Sequence, residues 1–545
     1  MGLSKDKHSQ LPADNNAELV FGLVYGIGTD AEKVVHLLKD YLQQFGYETH
    51  PFRISQHLRS LNLGIEFDDA SPVNLMHALM DAGNEARSKA HSDEILALSA
   101  IKEVLDHRPK DEHGDRAASF NVAHVIRSLK RPEEVALLRQ IYRPGFYLIG
   151  IAADDDEQES FLVKRKGLSS VEARTLIERD QGEHELHGQR MRDTFYLSDV
   201  FLELRESRYE AQLERFLELI FGRPFITPTK DEHAMFMAYA SAARSAQVGR
   251  QVGSAITTPR GEVIAVGFNE VPSRHGGPYW EGDAEDHRDH KEGSDSNLEN
   301  RKKIVESILH KLEGTILDEA KVKELVRLAI RHVAGASQDI EGLVARVMHS
   351  LKSEAITSSL EEVKRLIDTS DLREITEYGR AVHAEMDAIL TCARLGITVS
   401  GNCLYTTTFP CHNCTRHIIA SGIRKLVYIE PYPKSKAKDL HSDAICFDEE
   451  EAMKSGKIPF SPFVGIGPRR YLDLFSTQLS GGVPVARKGT DGKPVKWEKR
   501  SHRGPRVAME PFNYLEREQK ALDESKAKLR VLAEPGENRD GQSTS

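Results

Sequence analysis

At 545 residues the chain exceeds one ordinary domain; at about 150 residues per domain it holds about two to four, and two is the expectation. Its 74 basic and 84 acidic residues leave a net charge of −10, which argues against a broad nucleic-acid-binding face while leaving room for local patches. Five cysteines make no disulfide framework, no apolar run is long enough to cross a membrane, and residues 1–16 are polar with no apolar signal core, so a cytoplasmic protein without membrane attachment is expected.

Residues 1–16 are expected to be disordered. Glu18 to Val24 then form a short apolar run suited to a buried parallel strand, and Tyr25-Gly26-Ile27-Gly28-Thr29-Asp30 makes a glycine-containing turn. A helix follows, with Val34, Leu37, Leu38, Tyr41 and Leu42 on one face. Further strands are predicted at 47–54 and 146–151, the latter after a helix through 133–141. This alternation predicts a doubly wound α/β domain over 17–228.

A strand, a glycine turn and a helix N-terminus are what P-loop proteins use to cradle phosphate, so Gly26, Gly28 and Thr29 are candidate phosphate-binding residues. Gly28-Thr29 stands where Gly-Lys-Ser/Thr would be expected, and no lysine is available to reach the β- and γ-phosphates. Phosphate binding and a turn that merely closes a strand onto a helix both stay open; phosphoryl transfer is disfavoured. The charged stretch 165–190, with Arg174, Arg179 and Asp180, resembles the lid of a nucleoside or nucleotide kinase, and a solvated helical face explains the same charges.

The second domain is expected over 229–515. Ala243 to Pro272 reads as a helix followed by a two-stranded hairpin that ends at Asn269. An insertion at about 276–376 follows. Gly276 to His290 is read as a shaped loop near the active site, where Tyr279 and Trp280 either stack on a base or join the core. The remainder is helical and either packs on the core or builds an oligomer interface. His275, His287 and His290 fit exposed or hydrogen-bonded histidines better than a second metal site. From 516 to 545 a charged tail is expected, helical at first and then disordered.

The chemistry lies between. His383-Ala384-Glu385 opens a helix, and Pro410-Cys411-His412-Asn413-Cys414 follows a strand over 402–408 and opens another. A C-x-x-C alone could be half of a structural zinc site or a redox pair. Joined to H-x-E it supplies three ligands for a Zn2+ ion with one open position, His383, Cys411 and Cys414, and a carboxylate, Glu385, that binds no metal and is free to move protons. That is the layout of a zinc-dependent nucleobase deaminase.

The hairpin block resembles the opening of the deoxycytidylate deaminase family. That resemblance implies that Asn269 contacts the substrate's sugar, and Arg250, Ala384 and Thr408 are carried with it as substrate-binding residues. With the P-loop-like domain, the Gly-Gly-Pro-Tyr-Trp insertion and the two zinc motifs together, nearly the whole chain is similar to the two-domain bacterial anti-phage dCTP deaminases. For such a protein the resemblance implies an N-terminal P-loop kinase-like domain, a C-terminal α/β/α cytidine-deaminase-like domain, and conversion of dCTP and dCMP to uracil nucleotides. It also implies a regulatory nucleotide at the first domain, a small inhibitory RNA partner and, with the long insertion, a homo-oligomer. A dCMP deaminase of ordinary nucleotide metabolism, an RNA- or DNA-editing deaminase and a bifunctional kinase–deaminase stay open as alternatives.

Overall fold

In the computed structural model the described residues are 17–110, 112, 114, 116–153, 155–181, 188–204, 209–316, 378–430, 435–478, 483–500, 504–507 and 511–533. The expectations for residues 1–16, for the insertion beyond 316 and for the last residues of the tail fall outside them.

Leu19–Tyr25 (β1) is buried along almost its whole length, as a strand covered on both faces must be. After it come Ala31–Gln44 (α1), Glu48–Arg53 (β2), Pro72–Ala90 (α2), Ile95–His107 (α3), Val122–Arg127 (β3), Pro132–Tyr142 (α4), Phe146–Ala152 (β4), Asp155–Lys166 (α5), Ser170–Gln181 (α6), Val200–Glu203 (β5) and Tyr209–Ile220 (α7). The strands lie parallel in the order β2-β3-β1-β4-β5. Two apolar layers flank this sheet. One gathers Val34, Leu38, Leu213 and Phe216; the other gathers Ala86, Ile95, Ile101 and Leu138. The strands expected at 18–24, 47–54 and 146–151 form, as does the helix at 133–141. The sequence reading did not find β3, because His124 and Arg127 interrupt its apolar run; both are nonetheless buried.

The second sheet begins after Lys230–Ala242 (α8), whose N-terminus is fixed by a capping box between Thr229 and Glu232. Gly253–Thr257 (β6) and Val263–Phe268 (β7) make the expected hairpin. Ala384–Leu395 (α9), Cys403–Thr408 (β8), His412–Ala420 (α10), Lys425–Glu430 (β9), Ile445–Cys446 (β10) and Ile458–Pro462 (β11) complete a mixed sheet in the order β10-β11-β9-β8-β6-β7. Strands β7, β6 and β8 are antiparallel neighbours; β8, β9, β11 and β10 are parallel. Gly267 sets how close α9 comes to this sheet: a Cβ there would stand 2.2 Å from the Ala384 carbonyl oxygen, so any side chain would push the helix away. Among the described residues no helix is long and apolar enough to cross a membrane.

The expected boundary of the second domain at 515 needs correction. Gly465–Ile466 (β12) pairs antiparallel with β5 and so extends the first sheet, and Ile466 and Leu474 are buried in its core. The helix expected at the start of the tail forms, and a second follows it. Pro511–Glu524 (α11) and Lys526–Ala533 (α12) pack on the first domain, where Tyr514 and Leu532 are fully enclosed. Charged residues between the apolar positions hid this stripe from a composition-based reading.

One buried ionic cluster fastens these helices down. Arg108 Nη2 donates to Glu518 Oε1 at 2.8 Å and lies 3.0 Å from Glu18 Oε2, while His124 Nε2 lies 2.7 Å from Glu18 Oε1. Burial alone would raise the Glu18 carboxyl, but the hydrogen bond from His124 and the charge of Arg108 outweigh it and hold Glu18 below its ordinary value.

Candidate metal centre and catalytic carboxylate

Two helix N-termini meet at the C-terminal end of β8. His383 is the N-cap of α9 and Cys411 the N-cap of α10, both in extended backbone, with Glu385 and Cys414 in the first turns that follow. Helix N-termini carry partial positive charge, which favours thiolate and carboxylate at both positions.

The ligand atoms of His383, Cys411 and Cys414 all lie within 4.8 Å of one another, and among the described residues they form the one such group of three. Each thiol sulfur stands 3.4 Å from His383 Nδ1. A tetrahedral zinc about 2.3 Å from sulfur and about 2.0 Å from nitrogen requires an S···N edge of about 3.5 Å, so the cluster fits Zn2+ with one position left open. The hydrogen bond from Cys414, then that from His383, holds the Cys411 thiol down at about 3. The hydrogen bond with Cys411 in turn raises His383 to about 9. Metal binding replaces the protons shared in this way.

Glu385 is buried, which pushes its carboxyl above the ordinary range. Its Oε2 accepts from Cys414 Sγ at 3.3 Å and its Oε1 from the Thr406 hydroxyl at 3.5 Å, so it lies against the metal ligands without being one of the three. Replacing Cys414 by serine should strip zinc on dialysis against a weak chelator. Cys392→Ser, at a buried thiol of α9 outside the cluster, should retain about one zinc per chain by elemental analysis.

The expected substrate residues are placed as follows. Asn269 spends both ends of its amide on one segment: its Oδ1 accepts from Val252 N and its Nδ2 donates to the Arg250 carbonyl, each at 2.7 Å. It therefore braces the loop that carries Arg250. Arg250 is largely exposed and ion-paired with Glu430, whose other oxygen accepts from the Thr408 hydroxyl at 3.1 Å. Burial raises the Glu430 carboxyl, against the charge of Arg250. Sequence reasoning missed Glu430, because only the parallel register that sets Thr408 opposite it brings the two together. Ala384 is fully buried, and its carbonyl accepts from Ser254 Oγ at 2.6 Å.

The insertion loop shares a cavity with α9, the helix that His383 caps. Trp280 lies over the Arg244 guanidinium, 3.2 Å from ring centroid to carbon, and the loop lines this cavity of about 590 Å³ with Asp387, Thr391 and Arg394. Those three side chains recur at helical spacing on α9, about 200° around the helix from Glu385. The glycine-turn residues Gly26, Gly28 and Thr29 lie together on the first sheet and line a different cleft.

Residues 228–430 match the family model of the cytidine and deoxycytidylate deaminase zinc-binding region. That segment of the second domain is similar to the deaminase zinc-binding region and contains His383, Glu385, Cys411 and Cys414. The deoxycytidylate deaminase of Enterobacteria phage T2 is 49% identical over 55 residues, 10% of this chain and 29% of that protein. The probable deoxycytidylate deaminase of Drosophila melanogaster is 48% identical over 105 residues, 18% of this chain and 51% of that protein. The chain therefore spans about half or less of the length of these relatives. The solved dCMP deaminase of cyanophage S-TIM5 in complex with dCMP and dUMP is similar at 13% identity and a TM-score of 0.22, covering 44% of this chain and 100% of that one.

Proposed function

We propose that this chain hydrolyses the exocyclic amine of cytosine in dCTP and dCMP, giving the uracil nucleotide and ammonia. The observation that supports it most is the three-ligand cluster with Glu385 beside it, within a segment that matches the deaminase zinc-binding region. His383, Cys411 and Cys414 would hold a zinc ion, which when bound would supply a water acidified toward neutral pH. Glu385 moves the protons: it takes one from the attacking water and gives it to N3 of the ring as the C4–O bond forms, then takes the second from the new C4 hydroxyl and delivers it to the amine as the C4–N bond breaks, leaving the uracil carbonyl and ammonia. The Thr406 hydroxyl orients that carboxylate.

Asn269, Ala384, Arg250 and Thr408 are assigned to the substrate cleft in this reading. Arg250, held at its rim by Glu430, faces the phosphates, while Asn269 sets the height of the loop beneath the sugar. Arg250→Ala should raise KM by about tenfold to a hundredfold with kcat little changed, since a hydrogen bond to a charged group is worth about 1.5–3 kcal/mol. Steady-state kinetics on dCTP checks this.

The preference for dCTP and the biological outcome, depletion of deoxycytidine nucleotides in a phage-infected cell, rest on the resemblance of the two-domain layout. So do a homo-oligomer, a small inhibitory RNA and the first domain as a P-loop kinase-like unit responding to a nucleotide. The β2-β3-β1-β4-β5 order and the Gly26–Thr29 turn support that last assignment. The second reading, a dCMP deaminase of ordinary metabolism, is favoured by the names of the matched relatives, which are deoxycytidylate deaminases. Ammonia release from dCTP, dCMP and deoxycytidine, offered singly to the purified chain, separates the two: dCTP should be turned over with the highest kcat/KM, and turnover confined to dCMP would favour the second.

A further inference from the structure

In the first sheet the chain runs from β1 to β2 and β3 on one side and then crosses to β4 and β5 on the other. In open α/β sheets ligands bind at such a reversal, outside the carboxyl ends of the strands. A cleft of about 330 Å³ lies there, between the β1–α1 turn and the ends of β2 and β3. Gly28 takes φ +83° in this turn, and a Cβ on it would stand 2.7 Å from the Gln158 carbonyl oxygen, so the turn is packed under α5 and admits no side chain.

Thr29 and Arg127 in the lining each bury a polar atom that has no hydrogen-bond partner. Thr29 is 7% exposed and its hydroxyl, which has no hydrogen-bond partner, belongs to the cleft wall. Arg127 is 7% exposed, and its Nε is enclosed without one. Buried donors are nearly always satisfied, and leaving one unmade costs about 1–3 kcal/mol, so both mark a place for an acceptor.

The sequence offered no lysine for this turn, but the fold supplies one from the end of β3. Lys130 Nζ donates to the Tyr25 carbonyl at 2.9 Å and to both oxygens of Asp180 at 2.8 and 2.9 Å. Asp180 Oδ2 also accepts the backbone N–H of Ile27 at 2.7 Å. A carboxylate from α6, almost fully enclosed, thus takes both the cation and a turn N–H that would serve a phosphate. Arg53 and Arg127 complete the basic rim, tethered by Glu32, and Leu58, Met80 and Phe161 give the cleft an apolar wall wide enough for a base.

We propose that this cleft binds a nucleoside phosphate and that Asp180 is a resident anion which the phosphate displaces from Lys130 and Ile27, so that occupancy loosens α6. The proposal rests on reading the first domain as nucleotide-responsive and is independent of the deamination chemistry. The Ile27 N–H is a single donor already taken by Asp180, so a phosphate that accepts from it must displace that carboxylate and with it α6.

Calorimetric titration of the full chain with ATP and with inorganic tripolyphosphate tests it. Asp180→Asn should tighten both at least about tenfold, whereas Lys130→Ala and the isosteric Thr29→Val should weaken both. ATP should bind more tightly than tripolyphosphate, and its addition to the parent protein should raise hydrogen exchange across 170–181. An Asp180→Asn protein that melts like the parent and binds neither probe more tightly would overturn the displacement; equal affinity for the two probes would overturn the nucleoside assignment. Unchanged exchange across 170–181 in the ATP-bound parent would overturn the coupling. None of these readouts depends on ammonia release, so a failure here is distinguishable from a failure of the deaminase reading.

Discussion

Glu385→Ala should keep its zinc and lose turnover by about 10²–10⁴-fold, the usual contribution of a positioned general acid–base. Glu385 touches Cys414 and Thr406 but is not needed to complete the three-ligand set, so the metal has no reason to leave with it. Burial of this carboxyl raises its proton affinity, which suits a group that must both accept a proton from water and return it to a leaving amine. Zinc content by elemental analysis and ammonia release on dCTP should be read on the same preparation. Lost zinc would make the residue structural, and full activity would remove it from the mechanism.

The largest stability effect is expected far from the zinc, at Arg108. Arg108→Met would leave Glu18 and Glu518 facing each other with no exposure to water, and breaking a buried ion pair by removing one partner costs about 3–5 kcal/mol. Because Glu518 lies on α11, the loss should also free the C-terminal helices from the first domain. Denaturant unfolding and limited proteolysis over 511–533 check both parts. Lys499→Ala, which removes a partly exposed pair with Glu214, should change stability by no more than about 1 kcal/mol. An Arg108→Met protein as stable as that control would show that this ionic cluster does not hold the helices down.

The gathering of His383, Cys411 and Cys414 beside Glu385 was legible in the sequence because each motif is short and opens a helix, so local geometry aims its side chains. The central strands of the first sheet were legible as apolar runs for the same reason. Glu430 was not, because its tie to Thr408 and Arg250 is made by strand register across a parallel pair. Lys130 was not, because the pairing of β1 with β3 is what brings the end of one strand beside the end of the other. The stacking of Trp280 on Arg244 was not legible, because it joins the loop to a segment that precedes the hairpin. The packing of the C-terminal helices on the first domain was hidden by their charged faces, which obscure a buried stripe through Tyr514, Glu518 and Leu532.

The most direct test of the central claim is to incubate the zinc-loaded full chain with dCTP and dCMP and to quantify ammonia and uracil nucleotide together. One ammonia should appear for each uracil nucleotide formed, with activity lost on chelation and regained on adding zinc. Clean, folded protein that binds no zinc, or zinc-loaded protein that leaves both cytosine nucleotides intact, would contradict it.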